Sequence, residues 1–201
     1  MKRILILTLC AWILQSCASF HSIKKEAHVL AAMGAADVHG GKSWSPRLGG
    51  QVDVESKIHQ FKKNSSVGAG LGVSFQGAAY EEEIYSGKVN MTYLIIPLLY
   101  TYEINGGFYG EAGLQPGILL SAKDKFDGGS ANYRDYIKPF DLGLPIGAGY
   151  NINENLSVGA RATFGLLNID NSGSDVKDNN FMLTGVVRYR INLPNKNADE
   201  K

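Results

Sequence analysis

The sequence predicts an all-β fold, in which eight antiparallel strands close into an up-and-down transmembrane β-barrel. Three observations lead there. Beyond the N-terminal segment, apolar residues alternate with small or polar ones, which is the period of strands and not of helices. The polar faces carry little charge and much Gly, Ser and Thr, whereas a water-facing sheet displays Lys and Glu. Such small residues suit the cramped lumen of an eight-stranded barrel. Connections also alternate in length. HGGKSWSP (39–46), EEEIYSGK (81–88), KDKFDGGSANYRDYIK (123–138) and NIDNSGSDVKDN (168–179) are long, while KKNSS, INGG and NINEN are tight. Long loops on one rim and short turns on the periplasmic rim are the habit of outer-membrane barrels.

The strands are expected at 27–38, 47–60, 66–79, 89–103, 107–122, 139–152, 156–168 and 180–193. The first alternates weakly. The fourth contains YLIIPLLYTYEI (93–104), which is too short for a membrane helix at ~20 residues and has Pro97 at its centre. By parity Leu94, Ile96, Leu98, Tyr100 and Tyr102 face lipid, and Tyr93, Ile95, Pro97, Leu99, Thr101 and Glu103 face the lumen. Pro97 is the awkward residue, because a closed barrel has no free edge to absorb its missing N–H. Pro116 and Pro145 follow in the next two strands and point to bulges or a weakened wall there.

In the fifth strand Glu111, Gln115, Ser121 and Lys123 oppose Leu114, Ile118 and Leu120. In the sixth, Phe140, Leu142, Leu144, Ile146, Ala148 and Tyr150 share the apolar face, and Asp141 and three glycines the other. In the eighth, Leu183, Val187, Tyr189 and Ile191 oppose Thr184, Arg188 and Arg190. Aromatic residues collect at strand ends, as in the two interfacial girdles of a membrane barrel. Phe61, Tyr102, Phe108, Tyr150 and Tyr189 flank the short turns; Tyr80, Tyr136, Phe140, Phe164 and Phe181 lie towards the long loops.

The N-terminus reads as an export signal of the Sec type. Lys2 and Arg3 precede the apolar run ILILTLCAWIL, and LQSCASF follows. Two cuts are open: a conventional one among small residues, or a lipobox cut that makes Cys17 an acylated first residue. The expected organisation is 1–17 signal, 18–26 periplasmic leader, 27–193 outer-membrane barrel and 194–201 periplasmic tail. With Cys10 and Cys17 the only cysteines, the barrel domain has neither a disulfide nor a thiolate site. Twenty Lys and Arg against nineteen Asp and Glu leave no field for nucleic acid, so no nucleic-acid partner is expected.

The stretches YLIIPLLYTYEI, GGFYGEAGLQPGILLSAK, FDLGLPIGAGYNINENLSVGARATFGLLNI and FMLTGVVRYRINL resemble the porin-like and PorT-like outer-membrane β-barrel families of Gram-negative bacteria. The resemblance covers about 27–193 and implies an eight-stranded up-and-down barrel. Some PorT-like members are implicated in type IX protein secretion, and most have no assigned activity. Here PNKNADEK follows Leu193, whereas the family's last strand usually ends the chain on an aromatic residue.

The inward faces carry Asp53, Glu55, Lys57, Glu103, Glu111, Lys123, Asp141, Arg161, Arg188 and Arg190. Buried charge has to be paired or wetted, so these form either a plug of salt bridges or a gated polar path. The expected pairs are Glu103 and Glu111 with Arg188 and Arg190 low in the barrel, and Lys123 with Asp141 above. Phe126, Tyr133, Arg134 and Tyr136, on the longest loop, are the candidates for contact with a partner outside the cell.

No catalytic, cofactor or metal residue is assigned. His39 beside Asp37, with Ser43 or Ser45 following, is the one loose approach to a nucleophile and base. The acidic EEE (81–83) and NIDNSGSDVKD (168–178) lack the regular ligand spacing of a calcium loop. The expected role is non-enzymatic: structural, adhesive, or accessory to an envelope or secretion complex. Outer-membrane lipid and the barrel-assembly machinery are the implied partners. A small-solute pore is the alternative, and a soluble periplasmic lipocalin-like binding barrel comes third.

Overall fold

A computed structural model describes residues 26–40, 44–82, 85–173 and 175–192. The expected signal with Cys17, the leader up to residue 25 and the tail lie outside these residues, while Glu26, the last expected leader residue, opens the first strand.

Eight wall positions run β1 Glu26–His39, β2 Arg47–Lys62, β3 Ser65–Glu82, β4 in two pieces Tyr85–Ile95 and Leu98–Glu103, β5 Phe108–Phe126, β6 Phe140–Asn151, β7 Leu156–Gly165 and β8 Asn179–Asn192. Each pairs antiparallel with its neighbours in sequence. β1 meets β8 in unbroken register from Glu26↔Asn192 to His39↔Asn179, which closes the ring. Full closure leaves no unpaired sheet edge, the condition for a β-structure in lipid. Between β4 and β5 the tight turn needs Gly106 and Gly107, both at φ of 90°, where side chains with a Cβ are strained.

The wall is apolar outside. Met33 and Leu48 are each 67% exposed, and Val52, Leu71, Phe75, Leu98, Leu114, Ile118, Ile146, Leu183 and Val187 share that outer face. A continuous apolar surface of this kind is a liability in water and the required coat in a bilayer. The inside holds Gln51, Asp53, Ser74, Glu111, Arg161 and Thr184, all buried. The alternation in the sequence is therefore lipid-out and polar-in. Phe61, Tyr102, Phe108, Tyr150 and Tyr189 stand exposed near the short turns, and Tyr136, Phe140 and Phe164 near the long loops. Tyr80 departs from the expected girdle, for its hydroxyl lies 3.0 Å from both carboxylate oxygens of Asp124 and its ring packs on an interior cluster.

Pro97 does interrupt β4, but without a slip. Ile95 pairs Gly117 and Leu98 pairs Leu114, so the count across the gap is conserved. The flanking groups stay bonded, with Ile96 N–H donating to the Pro116 carbonyl and Gly70 N–H to the Pro97 carbonyl, each at 2.9 Å. A bulge appears higher, where Thr92 faces Ser121 but Tyr93 faces Leu119, leaving Leu120 as the extra residue. Half of the 123–138 connection is strand, and a 3-10 turn at Arg134–Tyr136 follows. β5 runs on to Phe126 and folds back as Gly129–Asn132, with Lys123 opposite Asn132 and Phe126 opposite Gly129.

Candidate functional site: the lumen

Small residues on the inner faces make room for charge. A Cβ at Gly72 would run into the Asp53 side chain, and one at Gly147 would stand 3.0 Å from Glu111 Oε1. Glycine at these positions lets carboxylates on adjacent strands cross the narrow interior. β2, β5, β7 and β8 then bring Glu55, Glu111, Arg161 and Arg188 into one network.

Arg161 donates from Nε to Glu111 Oε1 at 2.8 Å, and its Nη2 lies 2.7 Å from that oxygen and 3.2 Å from Glu55 Oε1. Arg188 Nη2 reaches Glu111 Oε2 at 2.8 Å and Glu55 Oε2 at 3.1 Å. Each carboxylate thus spans both guanidiniums, in the charge-assisted geometry that makes such bonds strong. Arg161 is 1% exposed and Glu111 6%. Arg188 also sits 5.4 Å from the centre of the Tyr109 ring. Beside the network, Gln51 Nε2 donates to Asp53 at 2.6 Å.

Of the expected low pairs, Glu111 with Arg188 is present. Glu103 instead meets Lys57 at 3.6 Å, in a half-exposed position near the short turns. Arg190 stands with His28, Lys57 and Glu103 around a vestibule of about 340 Å³ at that mouth.

The expected Lys123–Asp141 pair does not form. Asp141 Oδ2 accepts from Asn180 Nδ2 at 2.8 Å, and Asn180 Nδ2 also reaches the Tyr93 hydroxyl at 3.3 Å. Lys123 is exposed on the outer face. The cause is the bulge at Leu120, which reverses inside and outside for every residue above it: Leu119 and Ala122 are both 1% exposed and both face in.

Above Asp141 the lumen turns apolar. Val38, Ala78, Val89, Met91, Tyr93, Ile95, Leu119, Ala122, Ile137 and Ile169 form one buried cluster, with Trp44, Tyr80 and Tyr133 packed on it. Ile137 and Ile169 come from the long loops, folded back over the mouth by the Ile137↔Asp170 bridge and by Lys138 N–H donating to Ile169 O at 2.8 Å. This stopper was not among the expected sites. Its trace in the sequence is YLIIPLL, apolar on both parities where a wall strand lining water would be apolar on one. Between stopper and ion network the cavity is only about 10 Å³.

Among the loop candidates, Phe126 and Tyr136 are exposed, at 42% and 51%. Tyr133 stacks on Tyr136 at 5.1 Å and against the stopper, and Arg134 Nη1 donates to Leu120 O at 2.7 Å. His39 Nε2 lies 3.7 Å from Asp37 and its ring edge meets Phe181. Ser43 is outside the described residues, and no hydrogen bond joins His39 to a serine among the described ones. Asp170 and Asn168 fold their loop through local bonds, Asp170 accepting from Ser172 and Asn168 from Asp170 and Asp178.

A closed ring of eight antiparallel strands with a lipid-facing apolar coat defines an outer-membrane β-barrel. The family model for the outer membrane protein beta-barrel domain matches residues 27–171, and the chain belongs to that family. Its place is accordingly the outer membrane. Among solved structures it is similar to the Neisserial surface protein A (NspA) at 15% identity and TM-score 0.50, covering 81% of this chain and 96% of that one. Ail, the attachment invasion locus protein of Yersinia pestis, aligns at 18% identity and TM-score 0.47 over 84% of this chain and all of its own. OprG of Pseudomonas aeruginosa aligns at 14% identity and TM-score 0.42, over 86% and 98%. At these identities the likeness is one of fold. No curated protein matches the chain significantly.

Proposed function

We propose that this chain is a sealed, non-enzymatic scaffold of the outer membrane whose working surfaces are its rims. It would serve adhesion or an envelope or protein-secretion complex, as the PorT-like resemblance suggests. The observation that carries this reading is the lumen, blocked twice by different chemistry. The apolar cluster stands at the long-loop end and the Glu55–Glu111–Arg161–Arg188 network below it. The space between, about 10 Å³, is at the lower limit for one water, ~10–15 Å³. Outer-membrane β-barrels of this size are generally non-enzymatic, and a site that passes nothing through the wall leaves the loops as the place for recognition.

The exposed Phe126, on a hairpin stiffened by strand pairing, and Tyr136, on the 3-10 turn Arg134–Tyr136 that follows it, are the surface this reading offers a partner. Crosslinking on intact envelopes, followed by pull-down of the chain, tests it. Deleting 127–133 is expected to remove at least one crosslinked envelope protein while heat-modifiable migration on a gel persists. An unchanged set of crosslinks would sink the assignment of that hairpin. A small-solute pore is the second reading, and the vestibule of about 340 Å³ is what favours it. Conductance by the unmodified protein in a planar bilayer would select it.

A further inference from the structure

The bulge at Leu120 has an effect on the outside of the barrel as well as the inside. It turns Lys123 and Lys125 outward, where Lys125 stands directly opposite Lys88 and Lys123 opposite Asn90. All three lysines are exposed. Like charges facing each other across a strand pair are destabilising unless an anion lies between them. Asp124, placed between two of them in the chain, is turned the other way and accepts the Tyr80 hydroxyl inside. Among the described residues none of the three lysines has an ion pair.

Their height matters as much as their charge. On the same outer face, Phe75 opposite Thr92 marks the top of the apolar coat on β3 and β4. Asn90 and Lys88 lie two and four residues further towards the long-loop rim, roughly 7 and 13 Å along the strand at ~3.3 Å per residue. With strands tilted by about 40°, that is about 5 and 10 Å above the hydrocarbon boundary, the level of the headgroups.

A groove of about 460 Å³ on this face is lined by Lys88 and Lys125, the hydroxyl residues Ser45 and Ser86, and the acids Glu81 and Asp127. Both acids lie farther from the membrane than the lysines. Glu81 pairs Ser86, and Asp127 follows the Gly87↔Phe126 pair. An anion approaching from solution meets carboxylates first; one approaching from the leaflet meets lysines first.

We propose that Lys88, Lys123 and Lys125 form a binding site for the phosphate groups of an outer-leaflet lipid, held against the outer wall of β4 and β5. The site requires the long-loop rim to face outward, and it is independent of whether the barrel conducts or has a protein partner.

The test uses the full chain, refolded in detergent and titrated with bis-phosphorylated lipid A, and retained lipid is counted by native mass spectrometry. Each lysine near a charged lipid surface contributes roughly fivefold in affinity, so the K88Q/K123Q/K125Q variant is expected to bind on the order of a hundredfold more weakly. The corresponding triple Arg variant is expected to retain binding, and Lys63→Gln with Lys177→Gln, on other surfaces, to leave it unchanged. Heat-modifiable migration verifies that each variant has folded. Lipid A stripped of its phosphates should be lost from the wild type. Equal retention by the triple Gln variant would overturn the proposal. So would displacement of the lipid by millimolar inorganic phosphate, which would mark a site for soluble anions.

Discussion

Glu111 is the tighter of the two carboxylates that hold the interior arginines, since Glu55 also reaches both of them but at 3.2 and 3.1 Å. The Glu111 oxygens divide between Arg161 and Arg188, at 2.7 and 2.8 Å. Removing Glu111 from this buried set leaves two guanidiniums sharing the single charge of Glu55, and breaking a buried pair in this way costs about 3–5 kcal/mol. Lys57 and Glu103 are a different case. At 3.6 Å and with side chains 28% and 45% exposed, they are screened by water and worth about 0–1 kcal/mol. Glu111→Gln is therefore expected to lower the temperature at which the heat-modifiable band shifts by a large margin, and Lys57→Gln to leave it nearly in place. Equal shifts for the two would mean that the network adds nothing to stability. The glycines opposite these acids belong to the same design. Gly147 in β6 is what allows the Glu111 side chain its path, so a sequence rich in small residues and a lumen rich in ion pairs are one feature seen at two levels.

At the scale of the strand, alternation made the wall legible. The eight wall positions lie where period-2 patterning puts them, with ends shifted by a few residues, and the lipid-facing residues of β6 and β8 are those that parity assigns. What parity cannot carry is a residue that breaks the count. Leu120 is such a residue: below it odd positions of β5 face the lumen, above it even positions do. Nothing in GILLSAKDK marks the bulge, since apolar and polar residues continue to mix on both sides of it, and so Lys123 was expected inside. Pro97 taught the opposite lesson. It looked like a site for slippage, yet the pairing on either side keeps register because the bonds of Ile96 and Gly70 survive around it. The loop-derived part of the stopper was illegible for another reason, as Ile137 and Ile169 close the mouth through contacts between loops distant in sequence. Cysteine labelling checks the bulge directly. In refolded protein lacking 1–17, Lys123→Cys is expected to react with a water-soluble maleimide within minutes and Ala122→Cys to resist until unfolded. The reverse pattern would place the register one residue away.

For the molecule as a whole, the two obstructions act in series, and that decides how the barrel responds to damage. A path through the lumen needs both ends open, so weakening one obstruction changes stability without changing permeability. The ion network is held mainly by wall strands β2, β5, β7 and β8, whereas the apolar stopper depends on β4, β5 and the returning loops. They share little beyond β5, and so fail separately. The unmodified protein is expected to be electrically silent in a planar bilayer, and Glu111→Gln to be silent as well, despite its lower stability. Replacing Met91 and Leu119 by serine removes two of the large side chains at the centre of the stopper and wets the upper half, yet should also give no steady current while the network stands. Only the combination of Glu111→Gln with both serines is expected to conduct, through a narrow path set by eight strands. Current from Glu111→Gln alone would mean that the apolar cluster does not seal the mouth, and the pore reading would then take precedence over the scaffold.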